Sequence, residues 1–409
     1  MNKQKDDLQT FFEPIKQIWR RRELSFDLMG KKIDKIQIPP IKLGGKSYRP
    51  GPFYLDNSVP GSVLETIDAL GMENKNGLKP VICHKHQEPY GWHVVLQLPP
   101  GISSRDIESK LSYFAEQAGG TITLQTKGSK VHMDISTKPL PEKVKYSWNP
   151  DLFKDMSMPV PIGETANGLL VIDLSSLPHM LVAGVPGGGK SNFLHVLTNS
   201  LIMLPNVWVV IIDLKRLEFS YLKERALVAY DRGMAWEVLT ALNKELDRRL
   251  ERLESASCVK IQEYKGDDMP YIACVIDELT ELQNGDCQDK LNRIARLSRA
   301  VGISIVCATQ RPSATTYNKF TDTRGLFDGT LCFRVRDAVN SRIVLDNDKA
   351  AHIPANIRGR AIWQWDRECE VQVMHLPINK AKKLLKNVPA SETKGVKLVE
   401  LSPERLLPR

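Results

Sequence analysis

The residues best suited to chemistry lie in one short stretch, GVPGGGKS, Gly184 to Ser191. It fits the spacing G-x-x-x-x-G-K-[ST], a loop whose backbone N–H groups cradle phosphates while its lysine reaches the terminal phosphates and its hydroxyl holds Mg2+. Gly184, Gly187, Gly188, Gly189, Lys190, Ser191 and Asn192 are therefore the candidate nucleotide contacts. A second GGKS occurs in LGGKS, Leu43 to Ser47, but Pro40 stands where the first glycine belongs. That copy is a decoy.

Two further groups have types and positions that fit a nucleotide. The run YIACVIDEL ends in adjacent carboxylates, Asp277 and Glu278. Burying two carboxylates after so apolar a run is costly without a compensating cation, and the Mg2+ of a bound nucleotide would supply it. Asp277 is expected to orient the water shell of the metal. Glu278 is expected to polarise an attacking water, a role phosphoryl transfer to a hydroxyl does not need. The run ISIVCATQRPS places Gln310 at a strand tip, where it can sense a terminal phosphate, with Arg311 beside it to relay that state. The loop alone does not say what the nucleotide drives, since kinases, helicases, secretion motors and transporters share it.

These side chains need elements to hold them. HMLVAG (His179 to Gly184) reads as a strand and SNFLHVLTNSLIML as a helix, so the loop lies between strand and helix, with helix-terminal amides aimed at an anion. VWVVIID, YIACVIDE, ISIVCATQ, GTLCFRV and RGRAIWQW read as further strands, alternating with the helices WEVLTALNKELDRRLERLES and DKLNRIARLSRAVG. Continuous apolar strands are what a parallel sheet covered on both faces requires. Upstream, WHVVLQL, SSRDIESKLSYFAEQAG, TITLQTK and KVHMDIST read as strand, helix, strand, strand, with Ser103 or Ser104 as helix cap.

The expected organisation is a basic Pro/Gly-containing arm over 1–75, a small α+β domain over 76–145, an α/β nucleotide-binding domain over 146–380 and a tail over 381–409. The chain has 409 residues and a net charge of +9, and its first fifty residues carry twelve Lys/Arg against six Asp/Glu. That imbalance favours a polyanionic partner. Seven scattered cysteines with no C-x-x-C pair point to a reducing compartment. No apolar run approaches the roughly eighteen residues of a membrane helix. The expectation is a soluble cytoplasmic protein that a partner could recruit to a membrane.

The segments HMLVAGVPGGGKS, IIDLKRLEFSYL, YIACVIDEL, RLSRAVGISIVCATQRPS and FRVRDAVNSRIVLD, in this order, resemble the FtsK/SpoIIIE family of DNA translocases. The resemblance runs over about residues 75 to 375. It implies a RecA-like P-loop NTPase fold, ATP and Mg2+ as cofactors, DNA as partner and a homo-oligomer, a hexameric ring with ATP between subunits. Such a ring implies an arginine supplied in trans, with Arg342 the first choice and Arg334 the second. It also implies DNA contacts from Lys215 and Arg216, which match an Asp-Pro-Lys-Arg stretch with Leu214 in place of proline, and from Lys319 and Arg324. The membrane domain and the winged helix of the cell-division members are not seen in this sequence. The expectation is a shortened motor similar to those of conjugative elements, plasmids or phages, working with a relaxase, replication or transfer-apparatus partner. A type VII-like protein-secretion ATPase, a single-strand conjugative coupling protein and a non-enzymatic DNA-binding protein are the alternatives.

Overall fold

The structure, a computed structural model, describes residues 41–43, 46–48, 59–89, 91–216, 218–282, 285–310, 327–386 and 388. The described residues divide into two units. The smaller draws on residues up to His86 and on Trp92–Thr137, the larger on Gln87–Gly91 and on residues from Lys138 onward.

In the smaller unit four strands pair in the order Val81–Glu88, Gly91–Gln97, Lys130–Ser136 and Thr121–Lys127. Val131, Met133 and Ile135 alternate with more exposed residues, and these three join Val94, Leu96, Ile107 and Phe114 in one core. The helix expected over SSRDIESKLSYFAEQAG is two helices, Ser104–Glu108 and Leu111–Ala118. Ser103 starts the first, donating from its backbone N–H and its hydroxyl to Asp106 at 2.7 and 2.8 Å. Helix Val59–Ala69 adds Val63 and Ile67 to this core, so the compact unit begins upstream of residue 76. Lys46 and Ser47, of the decoy motif, sit in a short strand antiparallel to Ile41–Leu43, not at a helix start.

The larger unit is built on one sheet of eleven strands. Six run parallel in the order Leu227–Ala229, Val207–Ile212, Tyr271–Ile276, Ile303–Thr309, His179–Ala183 and Gly329–Phe333. The sequence reading of strand and helix alternating throughout this region needs correction beyond that point. Arg360–Gln364, Glu368–His375, Pro159–Thr165 and Gly168–Asp173 extend the sheet by antiparallel pairing, and Val144–Lys145 pairs parallel to Glu368–His375. The segment VPIGETANGLLVIDL is thus a hairpin at the edge of this sheet.

Helices cover both faces of the parallel half, which is why strands His179–Ala183 and Ile303–Thr309 are buried at every position. The helix Lys190–Ile202 has eleven of its thirteen residues buried. It packs with Phe193, Leu194, Leu197 and Leu201 in one core, and the long helix Arg232–Ser255 packs in the other through Val238, Leu239, Leu242 and Leu246. Among the described residues no helix is long and apolar enough to cross a membrane.

Candidate nucleotide site

Because six strands run parallel, their carboxyl ends lie along one edge of the sheet, and the candidate residues follow from those ends. Gly184–Ser191 leaves His179–Ala183, Asp213 and Lys215 leave Val207–Ile212, Asp277 and Glu278 leave Tyr271–Ile276, and Gln310 leaves Ile303–Thr309. The topology thus gathers residues separated by over a hundred positions in the chain.

The glycines of the loop are required by shape. Gly184 has φ +150° and a Cβ there would lie 2.7 Å from the Cβ of Phe333; at Gly189, φ +130°, it would lie 2.8 Å from the Phe333 ring. Phe333 is fully buried beneath the loop. Backbone bonds brace the loop from neighbouring strands: Val185 N–H donates to Arg334 O and Gly359 N–H to Gly188 O, both at 2.9 Å. Amides in such a curved loop, followed by a helix start at Lys190, form a concavity suited to phosphate.

Lys190 is buried, and burial pulls its ammonium below the usual lysine range, while the charges of Glu278 and Asp277 oppose that shift. Asp277 is only 4% exposed, and burial raises its carboxyl to about 6, with Lys190 opposing and Asp213 adding to the rise. Glu278 accepts the Thr280 hydroxyl at 3.0 Å and the Gln310 backbone N–H at 3.3 Å on Oε1, and Lys215 Nζ at 3.3 Å on Oε2.

Three residues not singled out from the sequence complete the site. Asp213 is fully buried; its Oδ2 accepts the N–H groups of Glu218 and Phe219 at 3.1 and 3.2 Å, and its Oδ1 has no hydrogen-bond partner among the described residues. Glu218 accepts from His195 Nε2 at 3.2 Å, and this contact, with the Ser191 hydroxyl nearby, holds its carboxyl below the usual range. Since a carboxylate only accepts, His195 donates from Nε2 and its Nδ1 accepts the Tyr221 hydroxyl at 3.1 Å. Glu218 and Asp213 lay within IIDLKRLEFSYL; what the sequence could not show is that the turn after Asp213 carries Glu218 to Ser191.

Among the described residues no three acidic, histidine or cysteine side chains could hold a metal ion by themselves, so Mg2+ would come with the nucleotide. Four acids, Asp213, Glu218, Asp277 and Glu278, surround two lysines, Lys190 and Lys215. An unpartnered buried carboxylate oxygen and a carboxyl raised by burial are what a site short of positive charge shows, and hard oxygen donors suit this ion. Ser191 and Asp277 would hold the metal, Asp277 through water.

Other expected residues are placed differently. Asn192 spends its amide on the backbone, donating to Met374 O at 2.6 Å and accepting from Leu376 N–H at 2.8 Å. It ties the helix to the antiparallel half of the sheet. Arg334 lies under the phosphate loop of its own chain, through its carbonyl. Arg342, on helix Ala338–Leu345, is 62% exposed and 3.9 Å from Asp348, open to an outside partner. Arg216 is 63% exposed, 3.6 Å from Asp231. Lys215, expected on DNA, turns to Glu278. Arg311, Lys319 and Arg324 lie outside the described residues.

A phosphate loop at the carboxyl edge of a mostly parallel sheet, opposed by two strand-end acids, defines a P-loop ATPase motor fold. The chain matches the FtsK/SpoIIIE family over residues 149–269, a stretch that holds the first two of the five sequence motifs. It is 33% identical over 242 residues to DNA translocase FtsK of Chlorobaculum tepidum, covering 53% of this chain and 30% of the relative. Against DNA translocase FtsK of Chlamydia pneumoniae it is 31% identical over 260 residues, covering 55% and 32%. The chain therefore spans about a third of the length of these relatives.

Among solved structures, the fold is similar to pCW3 conjugation coupling protein TcpA in a monomer form with ATPgS. There the TM-score is 0.55 at 22% identity, over 80% of this chain and 99% of the other. It is also similar to the cytoplasmic domain of the type VII secretion ATPase EccC of Thermomonospora curvata. That match has a TM-score of 0.52 at 20% identity, over 65% and 33% of the two chains. At these identities the likeness concerns the fold.

Proposed function

We propose that this chain is an ATP-dependent DNA translocase of FtsK/SpoIIIE type, a motor that couples ATP hydrolysis to movement of double-stranded DNA. The observation that carries the reading is the meeting of Lys190, Asp277 and Glu278 at one sheet edge, where burial raises Asp277 and an Asp213 oxygen has no partner among the described residues. Lys190 neutralises charge on the terminal phosphates, Glu278 takes a proton from the attacking water, and Gln310, whose backbone bonds Glu278, senses the phosphate. When bound, Mg2+ would supply further neutralisation of phosphate charge. Ser191 would help hold the metal.

Relatives named DNA translocases and a net charge of +9 support DNA as the partner. A homo-oligomeric ring, hexameric in this reading, places exposed Arg342 against the nucleotide of a neighbouring subunit. Arg216, with Lys319 and Arg324, then follows phosphates. The work is DNA transfer for a conjugative element, plasmid or phage, in the cytoplasm and recruited by a relaxase, replication or transfer-apparatus partner.

The test is ATP turnover without nucleic acid, then with linear duplex, single strands and tRNA across a salt series. Duplex stimulation that fades with salt is expected. Stimulation by single strands alone would favour a strand-pumping coupling protein, and indifference to every nucleic acid would favour secretion of protein.

A further inference from the structure

The turn leaving strand Val207–Ile212 brings a second lysine to the water-activating carboxylate. Lys215 Nζ donates to Glu278 Oε2 at 3.3 Å, and the carboxylate is 7% exposed while the lysine is 35% exposed. The other oxygen, Oε1, is already engaged by Thr280 and by the Gln310 backbone at 3.0 and 3.3 Å. Oε2, bonded to Lys215 alone among the described residues, is therefore the less engaged oxygen, and Lys215 is the contact that sets where it points. Among the described residues Lys215 is the one cation hydrogen-bonded to Glu278.

The turn that aims Lys215 is fixed from behind. Arg216 N–H donates to Asp213 O at 3.1 Å, and Arg216 takes the left-handed φ of 60°, uncommon for a residue with a side chain. Its Nε donates to Tyr230 O at 3.0 Å. Downstream, Glu218 and Phe219 are tied to Asp213 Oδ2. A strained backbone held at both ends sets a side chain in one place, as pre-organised sites require.

We propose that Lys215 is the positioning residue of Glu278: it fixes the orientation of the carboxylate that activates water, and acts through that carboxylate instead of on DNA or phosphate. The proposal rests on the reading of Glu278 as the water-activating group. Its local logic is that of any well-set general base, held by groups on separate elements so that one lone pair faces the reacting water.

The experiment uses the full chain with Mg-ATP and measures turnover, ATP affinity and duplex affinity for Lys215→Met and Lys215→Arg. Lys215→Met is expected to lower kcat by about 10- to 100-fold, the size of effect a misplaced catalytic group produces, with ATP and duplex affinities within about twofold of the parent. Lys215→Arg, which keeps a cation in reach, recovers most of the rate. In a Glu278→Gln background, Lys215→Met changes the residual turnover by less than about twofold, because a residue acting through another adds nothing once that other is gone. Retained ATP binding shows that each variant is folded.

Weakened ATP binding would make Lys215 a phosphate contact, and weakened duplex binding at unchanged kcat would return it to DNA; either overturns the proposal. So would a faster Lys215→Met, an unchanged one, or losses that multiply with Glu278→Gln. Full turnover in Glu278→Gln alone would instead remove the reading on which the proposal rests.

Discussion

The carboxyl edge of the parallel sheet and the underside of the long helix both bury charge, with opposite completeness. Arg249, on helix Arg232–Ser255, is fully buried, yet its three nitrogens donate to Glu245 at 2.7 Å, Val301 O at 2.8 Å and Pro270 O at 2.7 Å. Arg360, in the antiparallel half, is likewise bonded to Gln372, Glu370 and two carbonyls. At the carboxyl edge, Asp277 is pushed up by burial and Asp213 keeps an unpartnered oxygen. A buried charge whose bonds are complete belongs to the architecture; one whose bonds are incomplete is reserved for something that arrives later.

That contrast can be broken most directly at the phosphate loop. Lys190→Ala should abolish measurable ATP binding and turnover while leaving the melting temperature equal or higher, since it removes a buried charge with unmet demand. A calorimetric melt beside a nucleotide titration checks both halves, and a large drop in melting temperature would make Lys190 architectural.

Arg249→Met should do the reverse. Removing one partner of a buried, fully bonded ion pair costs about 3 kcal/mol or more, and ATP affinity of the folded fraction should not change. Denaturant unfolding measures the first and the same titration the second. Loss of ATP affinity without loss of stability would defeat the distinction.

Two buried groups titrate in one window with opposite signs. The raised carboxyl of Asp277 binds its proton more tightly in the folded chain, so nucleotide-free stability falls as pH rises from about 4 to about 6. The effect is at most about 3 kcal/mol, and Asp277→Asn should remove it while abolishing Mg-dependent nucleotide binding. His179 is 1% exposed, and burial lowers its imidazole to about 4. The unfolded chain then holds the extra proton, so its contribution to stability is present above pH 6.5 and lost as pH falls toward 4. Unfolding curves of the parent, Asp277→Asn and His179→Gln between pH 4 and 7 separate the two. Identical pH slopes in all three would contradict both assignments.

The chemistry of the site was legible because it is concentrated: GVPGGGKS, the Asp277–Glu278 pair and Gln310 each follow an apolar run, and parallel pairing of those runs brings them together without further information. The buried cysteines of the strands, Cys274, Cys307 and Cys332, were read as small hydrophobes for the same reason. The antiparallel half was not legible. Its pairing joins Thr165 to Val371 and Gly163 to Val373, over two hundred residues apart, and nothing local in VPIGETANGLLVIDL announces so distant a partner. Nor could residue type separate Asn192 from its neighbours in the loop, since the carbonyl it binds, Met374 O, lies 182 positions away. Lys215 and Arg216 read alike in sequence, yet the left-handed turn at Arg216 sends one to Glu278 and the other to Tyr230 O and Asp231 at the surface.

The most direct measurement is a side-by-side comparison of the parent chain and Glu278→Gln, recording ATP affinity and ATP turnover on the same preparations. The account predicts unchanged or tighter ATP binding with turnover lower by roughly 10²- to 10⁴-fold, the range of a lost general base. Glu278→Gln turning over ATP at the parental rate would contradict it and move the water-activating role away from the end of strand Tyr271–Ile276.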